Sequence, residues 1–301
     1  MIRRRAIRKI FITTLSLFII LTICTINNVS NSVKVNVELE NVTNLTNGCV
    51  YLLNNNGYLV RKNIFIESTN INDRIRKIIN YLKITNNSKY SSNLIGTIPS
   101  TCILEDLIYD EGYVTLNFSR SFLDNNNLDI AVVSIVRSIY ALGNIEGVTI
   151  LVEDSYLEGY PKIINNNIDI NKESFLTSRE DITKVVIYYL MDDNNEYFYV
   201  PVTKYLNDSR EKINIIVDEM ASNTSYDLVS LVNSNIELLN SYEENDVMVL
   251  NFNNYLFDSN NEVLEEVLYC LSYSVFDNYD VDMVMVEVEG KNIYSIDRKS
   301  L

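Results

Sequence analysis

Carboxylates are the side chains in this chain with the most obvious chemical potential. Asp192-Asp193-Asn194-Asn195-Glu196 and Asp124-Asn125-Asn126-Asn127-Leu128-Asp129 are oxygen-rich enough to raise the question of Ca²⁺. Neither has the spacing of an EF-hand loop, and the plainer reading is a hairpin turn and a helix N-cap. Glu287 and Glu289 fall on one face of an expected strand, and Glu243 and Glu244 in a turn. Paired acids of this kind are the minimum set for glycoside hydrolysis on a wall polymer. No aromatic-lined cleft motif accompanies them, so an exposed acidic rim is the preferred reading.

Composition closes other routes. The 301 residues contain no His, which excludes Ser-His-Asp and Cys-His nucleophile pairs, His-ligated zinc and an imidazole base. A net charge of -15 disfavours a nucleic-acid partner, because neutralising phosphates takes an excess of Lys and Arg. Only 8 Gly leaves little material for a phosphate-cradling loop. Beyond Cys24 an odd set remains, Cys49, Cys102 and Cys270; isolated buried thiols are preferred over a Cys49 to Cys102 bridge. No metal, cofactor or catalytic residue is expected. Tyr188, Tyr189, Tyr197, Phe198 and Tyr199 concentrate in one hairpin, where alternation turns some rings outward. Tyr188, Tyr197 and Tyr199 are therefore candidate interface residues, the alternative being a packed contact between two halves of the chain.

The elements that must position these residues begin after a leader. Arg3, Arg4, Arg5, Arg8 and Lys9 precede an apolar run from Ile10 through Leu21 to Ile26. This is an export signal or membrane anchor that leaves the following chain on the far side of the membrane. An uncleaved anchor is favoured. Lipidation at Cys24, with Leu21 three residues before it but Ile23 where a small residue is usual, and cleavage near Ser30-Asn31-Ser32 are the alternatives.

An internal repeat organises the remainder. Asn117 to Asp124 lines up with Asn251 to Asp258, 134 positions later, and the same offset superposes an apolar helix and a closing strand. In the first copy, strands at Cys49 to Leu53 and from Tyr58 flank the turn Asn54-Asn55-Asn56-Gly57. A helix with Ile75, Ile78, Ile79 and Leu82 on one stripe follows a cap at Asn72 or Asp73. Strands Ile103 to Tyr109 and Tyr113 to Phe118, a helix ended by Gly143, and the strand Val148 to Val152 complete it. In the second copy Asp208-Ser209-Arg210-Glu211 reads as a capping box. Each copy reads ββαββαβ, an α+β fold. The expected organisation is a leader 1–32, a linker 33–48, a first domain 49–159, a linker 160–181 and a second domain 182–301.

Gly96-Thr97-Ile98-Pro99-Ser100-Thr101, then a strand, a turn, Val114-Thr115-Leu116-Asn117-Phe118-Ser119 and an apolar helix, resemble the sporulation and germination domain GerMN. The motif residues carried over are Pro99, Thr101, Asn117 and Ser119. The second copy departs from the pattern: Val232-Asn233-Ser234 stands where the Pro motif would be, and Asn253 replaces the Ser. A leader plus two such domains is similar to GerM-type proteins of endospore-forming Gram-positive bacteria. The resemblance implies a module like those that build rings and channels across the double membrane around a forespore. It also implies a non-enzymatic, membrane-tethered, extracytoplasmic protein that assembles or positions an envelope-spanning complex with other membrane proteins. Ser119 and Pro99 read as a hydrogen bond at the helix approach and a rigid turn. A peptidoglycan hydrolase or wall-carbohydrate-binding module is the alternative.

Overall fold

The computed structural model describes residues 45–84, 93–193, 196–222, 227–229, 232, 234–258 and 262–300. The leader, with Arg3, Arg4, Arg5, Arg8, Lys9, Leu21 and Cys24, lies outside them. Among the described residues no helix is long and apolar enough to cross a membrane.

Copy one opens with the hairpin β1 (Leu45–Asn54) and β2 (Leu59–Glu67), β1 starting inside the stretch expected to be linker. Its turn is made by Asn54, whose buried side chain accepts the N–H groups of Asn56 and Tyr58, while Gly57 takes φ +88. Helix α1 (Ile71–Tyr81) buries Ile75, Ile78 and Ile79, as the spacing requires. Its cap is Asn70 rather than Asn72 or Asp73: the Asn70 carboxamide oxygen accepts the N–H groups of those two residues, which lie in the first turn. A short β3 (Leu94–Ile95) pairs with β1. Then come β4 (Leu104–Asp110) and β5 (Tyr113–Phe118), helix α2 (Leu128–Tyr140), and β6 (Gly147–Val152), which runs parallel to β5.

Copy two repeats this with β9 (Ile182–Asp193), β10 (Glu196–Asn207), α3 (Lys212–Ala221), β11 (Leu238–Glu244), β12 (Val247–Phe252), α4 (Glu265–Asn278) and β13 (Met283–Val288). The capping box is not formed. Glu211 occupies the N-cap without a side-chain bond, and the Asp208 carboxylate instead accepts the backbone N–H and guanidinium of Arg210. The bidentate Arg contact outcompetes the weaker cap.

Each copy also carries a strand beyond the ββαββαβ expectation, β7 (Ser155–Tyr156) in one and β14 (Lys291–Asp297) in the other. Two-residue turns with both φ positive, Glu153-Asp154 and Glu289-Gly290, lead into them. Glu289 therefore sits in a turn, not on a strand face beside Glu287. The result is two outer sheets, β4-β5-β6-β7 and β11-β12-β13-β14.

Equivalent hydrogen bonds tie the copies to one design. The Tyr51 N–H donates to Ser138 Oγ at 2.9 Å, and that hydroxyl donates to the Ser134 carbonyl. In copy two the Tyr188 N–H donates to Ser274 Oγ at 2.8 Å, and that hydroxyl donates to the Cys270 carbonyl. Both serines are fully buried and close the outer edge of a long strand with a helix side chain. Asn278 does the same at Val186, accepting its N–H and donating to its carbonyl. Cys49, Cys102 and Cys270 are buried free thiols.

The stretch 160–181 is tightly bonded to both copies. Ile164 exchanges backbone hydrogen bonds with Val148, the Ile170 carbonyl accepts the Thr203 N–H while its own N–H donates to Thr203 Oγ1, and β8 (Glu173–Ser174) lies parallel to β10. Asn171 acts as a surrogate strand residue. Its oxygen accepts the Leu59 N–H at 2.8 Å, and its amide donates to the Leu59 and Pro201 carbonyls at 2.7 Å. Replacing either buried serine by Ala leaves a strand N–H without an acceptor. Ser138→Ala and Ser274→Ala should each lower stability by about 1–3 kcal/mol in urea unfolding of the full chain.

Candidate functional site

The two copies meet along a buried polar seam built from β1, β2, β9, β10, α2 and α4. Tyr199 on β10 pairs with Arg61 on β2, so the two hairpins join into one six-stranded sheet. The Arg61 guanidinium lies 4.2 Å over the Tyr273 ring of α4 and donates to that hydroxyl at 2.7 Å. Tyr273 also packs against Tyr188, Tyr199 and Tyr269, with ring centroids 5.2 to 6.0 Å apart. The Tyr51 and Tyr188 hydroxyls, equivalent residues of the two copies, are 2.9 Å apart.

Beside them Arg137 on α2 donates to the Asp277 carboxylate on α4 at 2.8 Å and to the Ile168 carbonyl at 3.1 Å. One guanidinium thus holds copy one, copy two and the strap 160–181. Its side chain is 2% exposed and that of Asp277 14%. Burial pulls the Arg137 pKa down, and Asp277 with Tyr188 and Tyr51 more than restores it, so the guanidinium stays charged. Burial, with the nearby Asp277 carboxylate adding to it, pushes the Tyr188 hydroxyl far above its usual range; burial likewise raises Tyr51 and Tyr199, and Tyr189 to about 12 despite Lys204.

The residues singled out from sequence fall into three groups. Tyr188 is buried in the seam, in the packed contact between the two halves rather than turned outward, and Tyr199 is half-buried against Tyr269 and Tyr273. Tyr197 is 60% exposed.

The motif residues brace copy one. Pro99 accepts the Cys102 N–H, and the Thr101 carbonyl accepts from Ser121. Ser119 Oγ accepts the Ile103 N–H and contacts Ser121 Oγ, and Asn117 exchanges bonds with Asp154. Gly96 has a physical reason: a Cβ there would lie 2.5 Å from the Lys83 backbone. Thr97 next to it donates to Ser134, which donates to the Tyr51 carbonyl, so the motif latches α2 to β1. In copy two Asn253 replaces Ser119 and still ties the incoming chain, donating to the Asn235 carbonyl.

The carboxylates are not assembled for hydrolysis. Glu243 and Glu244 lie at the β11–β12 turn, where β12 begins, and Glu287 lies beside Asn251 near its other end. Four strand residues separate Glu244 from the level of Glu287 and three separate Glu243, roughly 13 and 10 Å along the strand, with β12 lying between them besides. That exceeds the spacing of either glycosidase geometry. In the stretch Asp124 to Asp129, Asn125 Oδ1 accepts the Asn127 N–H and Asp129 accepts from Tyr160. In the stretch Asp192 to Glu196, Asn194 and Asn195 lie outside the described residues. Among the described residues no group of three or more His, Cys, Asp or Glu is placed to share a metal. A hollow of about 140 Å³ in copy two is lined by apolar side chains such as Leu256, Leu264 and Val267, and by Asp258 alone of the acids.

What copy two does present is a sheet face. Register places Tyr242, Val249 and Met285 in one row across β11, β12 and β13, with Val247 and Met283 in the next. In copy one Ile108 and Tyr113 are about half exposed on the corresponding sheet.

Arg61, Arg137, Asp277 and Asn171 were not singled out by sequence reasoning. A signal existed for two of them: Arg137 interrupts the apolar run Ile135 to Ile139, and Asp277 follows Val275-Phe276.

Two copies of one α+β module, joined by a buried seam and bearing open sheet faces, define a tandem-module protein. Residues 49–158 and 186–294 match the family described as Germane: Sporulation and spore germination, and the chain belongs to that family. It is 23% identical over 266 residues to the spore germination protein GerM of Bacillus subtilis (strain 168), covering 81% of this chain and 71% of that protein. A solved structure of the tandem GerMN domains of the sporulation protein GerM from Bacillus subtilis has the same fold. It has a TM-score of 0.73 at 20% identity, covering 82% of this chain and 92% of that one. The chain is thus GerM-like, with two GerMN domains in tandem, and no enzymatic family is indicated.

Asp277→Ala would strand the Arg137 charge in the seam. It should cost about 3–5 kcal/mol in chemical unfolding of the full chain. The raised tyrosine pKa values set an alkaline limit. Their contribution is intact below the unfolded value of about 10 and is lost as pH rises through the folded values. The tyrosinate absorbance of the seam residues should therefore appear only together with loss of secondary structure, above about pH 10, whereas ionisation of all 21 tyrosines with the secondary structure intact would contradict the buried seam.

Proposed function

We propose that this protein works by contact rather than by chemistry of its own. It would be a membrane-tethered, extracytoplasmic scaffold that assembles or positions an envelope-spanning complex of membrane proteins during sporulation or germination. The observation that carries this reading is the seam. Arg137, Asp277 and the tyrosine cluster hold two copies in one fixed relation, as a spacer with two presenting faces requires. Exposed Tyr242 with half-buried Met285 in one copy, and exposed Ile108 and Tyr113 in the other, offer apolar contact area. The basic flank and apolar run ending near Cys24 support the tether and the outward placement of the body. Repulsion from anionic lipid headgroups suits a body held away from the membrane, since removing the five leader cations leaves 20 Lys+Arg against 40 acids.

A fluorescent fusion followed through sporulation, beside a deletion strain, tests the reading. The expected result is recruitment to the developing spore envelope and defective spores without the protein. Tyr242→Asp, on an exposed position, should abolish recruitment while leaving folding unchanged. Uniform distribution in vegetative cells with normal spores after deletion would overturn the proposal.

A further inference from the structure

Both copies turn the chain in the same way after their second outer strand, and they differ in the side chain placed there. In copy one the Phe122 N–H donates to the Ser119 carbonyl at 3.0 Å; in copy two the Leu256 N–H donates to the Asn253 carbonyl at 3.3 Å. The strands before the turn keep one register, Phe118 pairing with Leu104 and Phe252 with Leu238. Phe122 and Leu256 therefore leave equivalent backbone.

What they fill is not equivalent. The Phe122 ring is fully buried and stacks on Phe118, with centroids 4.7 Å apart and planes 10° from parallel. Leu256 is shorter and carries no ring. In its copy lies the hollow of about 140 Å³, which Leu256 lines with Val232, Ile236 and Val267. The same four residues line a narrow cleft that leads on to Phe252 and Met220. Tyr255 and Leu264, also on the wall, are about half exposed, so the hollow opens to solvent. Copy one is closed at this place: Ile98, Cys102 and Phe122, at the positions of Val232, Ile236 and Leu256, are fully buried, whereas Val232 and Ile236 are only partly so.

We propose that the hollow receives the phenyl ring of a phenylalanine presented by a partner protein, so that copy two takes from outside the ring that copy one supplies from its own chain. This rests on the reading of the protein as a contact scaffold. The size agrees, since an engineered apolar cavity of about 150 Å³ lined by Leu, Ile and Phe binds benzene. The lining agrees as well. A phenyl ring brings no hydrogen-bonding group to satisfy, and the Asp258 carboxylate at the wall already accepts the Glu262 N–H at 2.9 Å. A ring entering there removes its own apolar surface and that of the lining from water.

Methyl NMR of the full chain in lipid nanodiscs, titrated with N-acetylphenylalanine amide, reads the site without the partner. Saturable shifts are expected at the methyl groups of Val232, Ile236 and Val267, and none at Ile98 of copy one. Leu256→Phe fills the hollow from within, as copy one does, and should abolish the shifts with the circular dichroism spectrum unchanged. Leu264→Asp, at the exposed mouth, should weaken binding about tenfold by setting a charge beside the ring, and it keeps the test open should Leu256→Phe disturb the fold. A parallel titration with toluene separates a free aromatic molecule from a peptide-borne ring: toluene binding without amide binding would overturn the proposal. So would the absence of saturable shifts with the amide, or shifts that persist in a folded Leu256→Phe. A negative result strikes the aromatic site alone, because the scaffold reading stands or falls by localisation.

Discussion

A single buried guanidinium constrains the whole arrangement. Arg137 projects from a helix whose packed side is apolar apart from Ser134 and Ser138, and in the low-dielectric interior it meets the carboxylate of Asp277 on the equivalent helix of the other copy. Taking both charges out of water offsets much of their attraction, so the pair contributes little net stability compared with an apolar contact. What it supplies is a unique answer to how two similar modules sit together. Any sliding of one copy on the other separates the charges, removes the bond to the Ile168 carbonyl and breaks the contact between Tyr51 and Tyr188. Arg61 makes the same demand from the strand side, because its guanidinium must find both the face and the hydroxyl of Tyr273.

Duplicating a module with open strands creates an edge problem, and the structure solves it with side chains. Ser134, Ser138, Ser274 and Asn278 supply the hydrogen bonds that another strand would have supplied. Asn171 fills the gap where β2 and β10 diverge, so the chain between the copies becomes part of the sheet. The long strands at the seam are therefore shielded from indiscriminate pairing. Surface remains on the outer sheets, where the proposed contacts would be made.

Much of the fold was legible in the sequence. Regular apolar spacing marked Ile75, Ile78 and Ile79, the buried stripe of α2 and the central strands, because local periodicity reflects which face is removed from water. The repeat was legible too, since Asn117 and Asn251 perform the same task, one bonding Asp154 and the other the Gly290 N–H. The strap 160–181 was not. Its Pro161 and run of Asn look like a solvated linker, and only the arrival of Leu59 and Pro201 on either side of Asn171 gives its amide a buried role. Strand β14 was missed because its alternation is weak and an acidic residue with positive φ precedes it. The cap at Asn70 was missed by two residues, the ordinary uncertainty of helix ends.

By itself the sequence determined what this protein cannot be and what its pieces are. Without His it has no imidazole chemistry, its charge of -15 disfavours coating nucleic acid, and its periodicities dictate two α+β copies after a basic, then apolar, N-terminal segment. Tertiary structure alone decided which charges meet and which tyrosines are hidden. Arg137 and Asp277 are 140 positions apart, and Tyr51 and Tyr188 are 137 apart. No local pattern encodes a contact at that distance along the chain. It exists only once both copies have folded and the seam has excluded water from between them.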